Sequence, residues 1–131
     1  MTRQPSKKQR RASKKKPVTL ETVRGIALAL PQVEEGLSGR LPVFRVRGKL
    51  LARLHEDGQA LAIKIDYLKR DILLNAEPET FYINDFYRCF PMIFVRLSSV
   101  DRRVLESLFE DGWRLLASKR AVEAYDAEAS G

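Results

Sequence analysis

The sequence predicts an α+β fold in which helices pack on one face of an antiparallel sheet, forming a two-layer sandwich. Three observations support this prediction. A helical pattern precedes three consecutive strand patterns joined by tight turns, a second helix and one or two short strands follow, and a long amphipathic helix comes last. Because antiparallel sheets commonly bury one face and leave the other in water, helices on a single face complete the sandwich.

The first helix is predicted to begin after Thr19, which is a good N-cap residue, and to end at Pro31. The apolar residues that recur at helical spacing in it are Leu20, Val23, Ala27 and Leu30. The stretch EEGLSG, residues 34–39, is acidic and contains two glycines. We interpret it as a solvated linker.

Residues 42–47, 50–55 and 60–65 are predicted to form three antiparallel strands with turns at Gly48 and Asp57-Gly58. A two-residue loop at the second turn places one apolar set on a single face through the pairs Leu54 with Leu61, Ala52 with Ile63 and Leu50 with Ile65. The opposite face then receives Arg53, Leu51, His55, Ala62 and Lys64. If the Gly48 turn has three loop residues, Phe44 and Val46 join the apolar face and Arg45 joins the basic one.

A second helix is predicted over YLKRDILLNA, residues 67–76, because Asp66 can cap it and Pro78 stops it. ETFYIN, residues 79–84, reads as a short strand. MIFVRL, residues 92–97, reads as another strand, in which Ile93, Val95 and Leu97 point one way while Phe94 and Arg96 point the other.

Asp101 is predicted to cap the last helix. Its expected inner stripe comprises Val104, Leu105, Leu108, Gly112, Leu115 and Leu116. Trp113 and Phe109 flank that stripe and are interpreted as packing groups. The helix is expected to end near Arg120 and to leave residues 121–131 as a frayed tail.

Charge divides the chain at Pro17. Of the 24 Lys and Arg residues, eight lie in residues 1–16 with no acidic residue among them, so residues 17–131 keep 16 basic residues against 17 acidic ones. A run of like charge without apolar residues cannot offset the entropy cost of ordering. We therefore predict a disordered basic arm at 1–16 and an α+β domain at 17–120.

No segment of 18 apolar residues and no apolar secretory core occurs in the sequence, which predicts a cytoplasmic protein without a membrane partner. Cys89 and His55 are the only residues of their kinds, which leaves a zinc site short of its usual ligands. The sequence also contains no phosphate-binding loop and no G-x-S-x-G motif. We therefore expect no cofactor, no metal and no enzymatic activity.

Three stretches together resemble the MmcQ/YjbR family, which is described as DNA-binding-like: LPQVEEGLSGRLPVFRVRGKLLARLHEDGQALAIKID, FYRCFPMIFVRLSSVD and WRLLASKR. The resemblance runs from about Leu20 to Arg120. It implies a double-wing fold related to the bacterial frataxin homologue, with helices on one face of a curved antiparallel sheet. It implies no catalytic residues. Iron binding of the frataxin kind would require an acidic ridge, whereas the first helix offers only Glu21.

Charge and resemblance together predict weak, largely sequence-independent binding of nucleic acid, with DNA as the expected form, through the arm and the basic sheet face. The candidate binding residues are Lys7, Lys8, Arg10, Arg11, Lys14, Lys15, Lys16, Arg45, Arg47, Arg53, Lys64 and Arg96. Tyr82, Phe86 and Tyr87 are candidates for stacking on bases.

The alternative is a protein-interaction or small-ligand module with a dispensable basic tail. An apolar pocket near Phe86, Tyr87, Phe90 and Trp113 would favour it. The oligomeric state is open at this point.

Overall fold

The computed structural model describes residues 17–130. In chain order the elements are α1 (Leu20–Leu28), β1 (Val33–Ser38), β2 (Leu41–Val46), β3 (Lys49–Leu54), β4 (Ala60–Lys64), α2 (Tyr67–Ala76), β5 (Phe81–Tyr82), β6 (Met92–Arg96), α3 (Arg102–Leu116) and α4 (Lys119–Ser130). The strands form one antiparallel sheet in the order β1-β2-β3-β4-β6-β5. This open, curved sheet with its helices confirms the predicted α+β fold. The predicted arm at 1–16 lies outside the described residues.

One face of the sheet, which we call the covered face, is packed by the helices. Its core joins inward-facing strand residues such as Phe44 and Ile63 to helix residues such as Leu105 and Phe109. The rings of Phe44 and Phe109 meet edge to face, 6.5 Å apart. Trp113 is fully buried, as expected of a packing group, and its indole N–H donates to the Pro31 carbonyl at 2.7 Å.

The three predicted N-caps are confirmed. The Thr19 hydroxyl accepts from the Thr22 amide at 3.2 Å, and the carboxylates of Asp66 and Asp101 accept from the amides of Lys69 and Arg103, each at 2.8 Å. Each bond satisfies a backbone donor that the first helical turn leaves unpaired. Local sequence therefore fixes where α1, α2 and α3 begin.

The prediction of a linker at residues 34–39 is wrong, because most of this stretch belongs to the edge strand β1. β1 pairs with β2 along its whole length, with Gly36 opposite Val43. Gly39 makes the intervening turn possible with a φ of +64°. An edge strand receives its hydrogen bonds from one neighbour and stays half exposed, so it needs no run of apolar residues.

In the β2–β3 hairpin, the residues of β2 lie on the predicted faces, but the turn differs from the prediction. Its turn has two residues, Arg47 and Gly48, both with positive φ, whereas the predicted face assignment requires a loop of three residues. Phe44 pairs with Ala52 and Arg45 with Leu50, so Leu51 is the extra residue of a β-bulge. The bulge restores the register that a three-residue loop would give.

The bulge corrects two assignments. Leu51 lies in the core of the covered face, whereas Leu50 packs on the opposite face, the reverse of the sequence-based prediction. Two of the three predicted β3–β4 pairs are confirmed, Ala52 with Ile63 and Leu54 with Leu61, whereas Leu50 and Ile65 lie on opposite faces. A strand with an extra residue loses the strict alternation on which the prediction relied.

The C-terminal segment also differs from the prediction. Beyond Arg120 the chain continues as α4, where Ala121, Val122 and Tyr125 pack against the core, so this segment is not frayed. The Tyr125 ring lies 4.9 Å from that of Trp113. Leu115 is 50% exposed and does not belong to the inner stripe of α3.

Candidate functional site

The face of the sheet opposite the helices, which we call the open face, carries a second and smaller apolar cluster. Its buried members are Ala60, Ala62, Met92 and Phe94, with Leu50, Tyr82 and Tyr87 packed around them. The apolar residues that the helices bury belong to the other cluster. Strand alternation produces this division, as predicted for β6: Ile93 and Val95 face the helices, and Phe94 faces the opposite way.

Aromatic rings converge on Phe94. Tyr82 stacks on it with a centroid distance of 5.0 Å and an interplanar angle of 15°, and His55 lies tilted over it, also at 5.0 Å. Tyr87 meets it edge to face at 5.3 Å. Phe86 continues the group, 5.0 Å from Tyr87, and is 68% exposed. Of the three rings predicted to stack on bases, Phe86 therefore has the most free surface.

A cavity of about 220 Å³ opens beside these rings. Its lining comprises Arg53, Leu54, His55, Glu56, Ala62, Asn84, Phe86, Tyr87 and Phe94. Ala62 and Phe94 are buried and form its floor, whereas Glu56, Asn84 and Phe86 are exposed and form its rim. The Arg53 side chain lies at the cavity with its Nε buried, and no hydrogen-bond partner for that atom occurs within residues 17–130.

The loop that supplies Phe86 and Tyr87 is held by Arg70 of α2. Arg70 is only 8% exposed, and its guanidinium donates to the carbonyls of Phe90 at 2.8 Å and Arg88 at 3.2 Å. The Tyr67 ring lies 4.8 Å from the same guanidinium, and the Tyr67 hydroxyl donates to the Cys89 carbonyl at 2.8 Å. These bonds attach the loop to α2.

Sequence reasoning missed Arg70. The available signal was helical spacing, because Arg70 falls on the same stripe as Leu73 and Leu74, both of which pack against the core. An arginine in the inner stripe of a helix must find acceptors, and here backbone carbonyls serve.

The structure brings together four of the five basic residues predicted on the sheet. Cross-strand partners share a face. Each of these four residues pairs with a residue of the open-face cluster: Arg45 with Leu50, Arg53 with Ala62, Lys64 with Met92 and Arg96 with Ala60. Arg47 lies apart from them. It occupies the turn and makes a long contact of 3.5 Å with the Leu116 carbonyl at the end of α3.

The partners of these cations differ from those of the ion-paired cations of the domain, although Arg40, Lys49 and Arg103, among others, also form no ion pair within residues 17–130. Arg24, Lys69, Arg102 and Arg114 form ion pairs with carboxylates. In the part of the chain that the structure describes, Arg45, Arg53, Lys64 and Arg96 form none. Arg96 instead lies 4.2 Å over the Tyr82 ring and donates to the Glu79 carbonyl at 3.2 Å. Acidic residues also lie close to this group: Glu34 is opposite Arg45, Glu56 is at the rim, and the charge of Asp57 acts on Tyr82.

The pKa of the Tyr82 phenol is raised above its ordinary value. Burial is the main cause and the charge of Asp57 adds to it, while the positive charge of Arg96 opposes the shift. Because the shift is upward, Tyr82 is neutral at physiological pH and does not offset the positive charge of the open face.

The basic residues Lys7, Lys8, Arg10, Arg11, Lys14, Lys15 and Lys16 lie outside the described residues. Among residues 17–130, no group of three or more His, Cys, Asp or Glu side chains is placed to hold a metal ion. Within the same range, no helix is long and apolar enough to cross a bilayer.

Comparison with known proteins identifies a family and a similar solved structure. The family model described as YjbR matches residues 28–115. The crystal structure of Deinococcus radiodurans protein DR2400, with the family-model domain DUF419, is similar with a TM-score of 0.66. That match has 21% sequence identity and covers 77% of this chain and 80% of the other, so the similarity concerns the fold. No curated protein matches the chain.

Proposed function

The chain belongs to the YjbR family, and from that premise we propose that it binds nucleic acid through the open face, assisted by the basic run at residues 1–16. The observation that carries the proposal is the group of cations without carboxylate partners beside exposed aromatic rings. The proposed activity is binding alone, weak and largely without sequence preference. Its proposed setting is the cytoplasm, and DNA is the expected form.

Phosphate is the partner whose chemistry fits these cations. Arg45, Arg53, Lys64 and Arg96 share one face, and their like charges repel one another in the free protein. A polyanion that lies across the face relieves this repulsion and releases its own counterions. On the helix side, Glu35 and Glu106 already pair with Arg24 and Arg102, so a polyanion gains less at those two arginines.

Phosphate contacts give affinity without reading sequence. Each contact with duplex DNA contributes about −0.9 to the slope of log K against log salt. The four cations of the face therefore support a slope of roughly −3 to −4, and the eight cations of the basic run add up to about −7. Aromatic stacking adds affinity that is likewise tolerant of sequence.

The experiment is a fluorescence titration of labelled DNA and RNA over a salt series with the full chain, residues 17–131, and two variants of equal charge change. R45Q/K64Q removes two cations from the open face. R24Q/R102Q removes two ion-paired cations from the helix side. We expect R45Q/K64Q to flatten the salt slope by about 2 and R24Q/R102Q to change it little. The proposal fails if neither deletion of residues 1–16 nor R45Q/K64Q alters affinity.

A second candidate function, binding of a small ligand or a protein segment, is favoured by the cavity beside Phe86 and Tyr87. Phe90 contacts both of these rings, whereas Trp113 lies in the core of the covered face. A partner held by residues 17–131 at high salt, where phosphate contacts are weak, would support this function over the first.

A further inference from the structure

We infer that the open-face cavity holds one unpaired base of a single-stranded nucleic acid, with the Arg53 guanidinium beside it. This inference rests on the proposed function and specifies the form of its partner. It assigns a base site to Arg53, His55, Asn84 and Phe86, which line the cavity around the buried floor of Ala62 and Phe94.

The size of the cavity limits what it can accept. Sites that bury drug-sized ligands span about 300–1,000 Å³. A cavity of about 220 Å³ is smaller, and suits a single planar ring system. Its floor contains alanine where a larger side chain would fill the space, since Ala62 stands between Arg53 and Phe94 on the neighbouring strands.

The walls favour a flat and polarisable occupant. Phe86 presents an exposed ring at the rim, and His55 presents its imidazole over the floor ring of Phe94. Both faces of a base are π surfaces, so a base can stack on either ring whatever its sequence identity. An aliphatic side chain of a protein partner would bury apolar area here but would not exploit the ring faces.

The polar side chains of the cavity lining include donors, and Glu56 adds a carboxylate at the rim. Arg53 belongs to the lining, but its Nε is buried from solvent and so is not one of the donors that face the cavity. The Asn84 carbonyl oxygen accepts from the Tyr87 amide at 2.9 Å, which leaves the Asn84 amide nitrogen as its free donor. Donors of this kind can meet a base carbonyl or a phosphate oxygen. Because stacking is tolerant of base identity, we expect the site to distinguish a strand with bases from one without them, but not to read a sequence.

A base inside a duplex cannot enter such a site. Its faces are covered by stacked neighbours and its edge is paired, so the strand must be single or must be opened at a cost of a few kcal/mol. The inference therefore predicts preference for single strands, which phosphate contacts alone do not require.

Four probes separate the base from the phosphates: a labelled 12-nucleotide single strand, its duplex, a 12-residue strand made only of abasic sugar phosphates, and a free mononucleotide. The full chain is titrated with each. Because phosphate charge is the same in both single strands, we expect the normal strand to bind about tenfold more tightly than the abasic one. We expect the mononucleotide to bind far more weakly than the strand.

Two variants and one control test the residues. F86A removes the rim ring, and A62L fills the floor. L68A removes an exposed side chain on α2, 73% exposed against 68% for Phe86. We expect F86A and A62L to lower single-strand affinity about tenfold and to leave abasic-strand affinity unchanged. L68A should alter neither. Thermal melts confirm that each variant is folded.

One readout needs no variant. His55 is the only histidine of the chain, so its imidazole signals in a proton–carbon spectrum are identified directly. The normal single strand should shift those signals, and the abasic strand should not.

The outcomes distinguish the inference from the proposed function. Equal binding of normal and abasic strands, with steep salt dependence for both, overturns the base site and supports phosphate binding. A mononucleotide that binds as tightly as the strand also overturns the inference in favour of a free ligand. If no strand binds at low salt, both proposals fail.

Discussion

The two faces of the sheet are built from the same strands but differ in the burial of their rings and in the partners of their charges. On the covered face, large rings such as Phe109 and Trp113 are fully buried, and helix cations such as Arg102 and Arg114 are paired with carboxylates. On the open face, Phe86 is exposed, and Arg53 and Lys64 lack carboxylate partners in the described part of the chain. The difference separates stability from function: one face has its interactions satisfied within the domain, and the other leaves groups available.

The largest expected effect compares one phenylalanine from each face. F109A should lower the free energy of unfolding by about 3–5 kcal/mol, because it opens a cavity in a closely packed core. F86A should lower it by less than about 0.5 kcal/mol, because the ring is mostly exposed. Urea unfolding of both variants measures the difference. Similar losses in the two variants would contradict the division of the faces.

The second prediction compares two helical glycines. A Cβ at Gly112 would lie 2.7 Å from the Lys64 carbonyl oxygen, so α3 approaches β4 too closely for alanine. We expect G112A to destabilise the protein by about 1–3 kcal/mol. Gly25 in α1 has no atom within 4 Å of such a Cβ, so G25A should stabilise it by up to about 1 kcal/mol. Thermal denaturation gives both values, and a neutral G112A would contradict the close approach of α3 to β4.

Arg70 links the two faces, since it belongs to α2 and holds the loop of Phe86 and Tyr87. R70M should destabilise the protein by about 2 kcal/mol, because it removes the buried guanidinium that donates to the Phe90 and Arg88 carbonyls. R88M removes only an exposed ion pair with Asp85 and should cost less than about 0.5 kcal/mol. Hydrogen exchange should speed up in residues 86–92 of R70M more than in α3. Uniform acceleration would show that Arg70 supports the whole domain instead of this loop.

The smallest effect concerns charge above the covered face. The Arg114 guanidinium, 2.7 Å away, lowers the pKa of Asp126. A carboxyl whose pKa is lower in the folded state adds stability above its unfolded pKa, and that stability is lost as the pH falls through the folded pKa. The unmodified protein should therefore have slightly more helix in α4 than the D126N variant at pH 7. This difference in helicity should vanish as the pH falls from about 5 to 2. Circular dichroism at each pH checks this, and a difference that persists at pH 2 would exclude the ion pair as its cause.

Local signals in the sequence predicted most of the fold. The caps Thr19, Asp66 and Asp101 and the register of Ala52 with Ile63 follow from short-range chemistry and were confirmed. β1 escaped prediction because its stability comes from pairing with β2, which its own residues do not reveal. α4 was not predicted because its apolar residues are stabilised by packing against other parts of the fold, as where Tyr125 lies beside Trp113.

The candidate site divides in the same way. The sequence by itself determined its charge and its rings, because alternation along the strands places Arg53, Lys64 and Phe94 on one face. Only the tertiary structure decided that Arg47 turns away, that a bulge exchanges Leu50 and Leu51, and that Arg70 brings the loop of Phe86 to the sheet. The physical reason is the sequence separation between the residues that interact. Alternation and capping act between near neighbours in sequence, whereas these three outcomes depend on hydrogen bonds and close packing between distant segments, which exist only once the chain has folded.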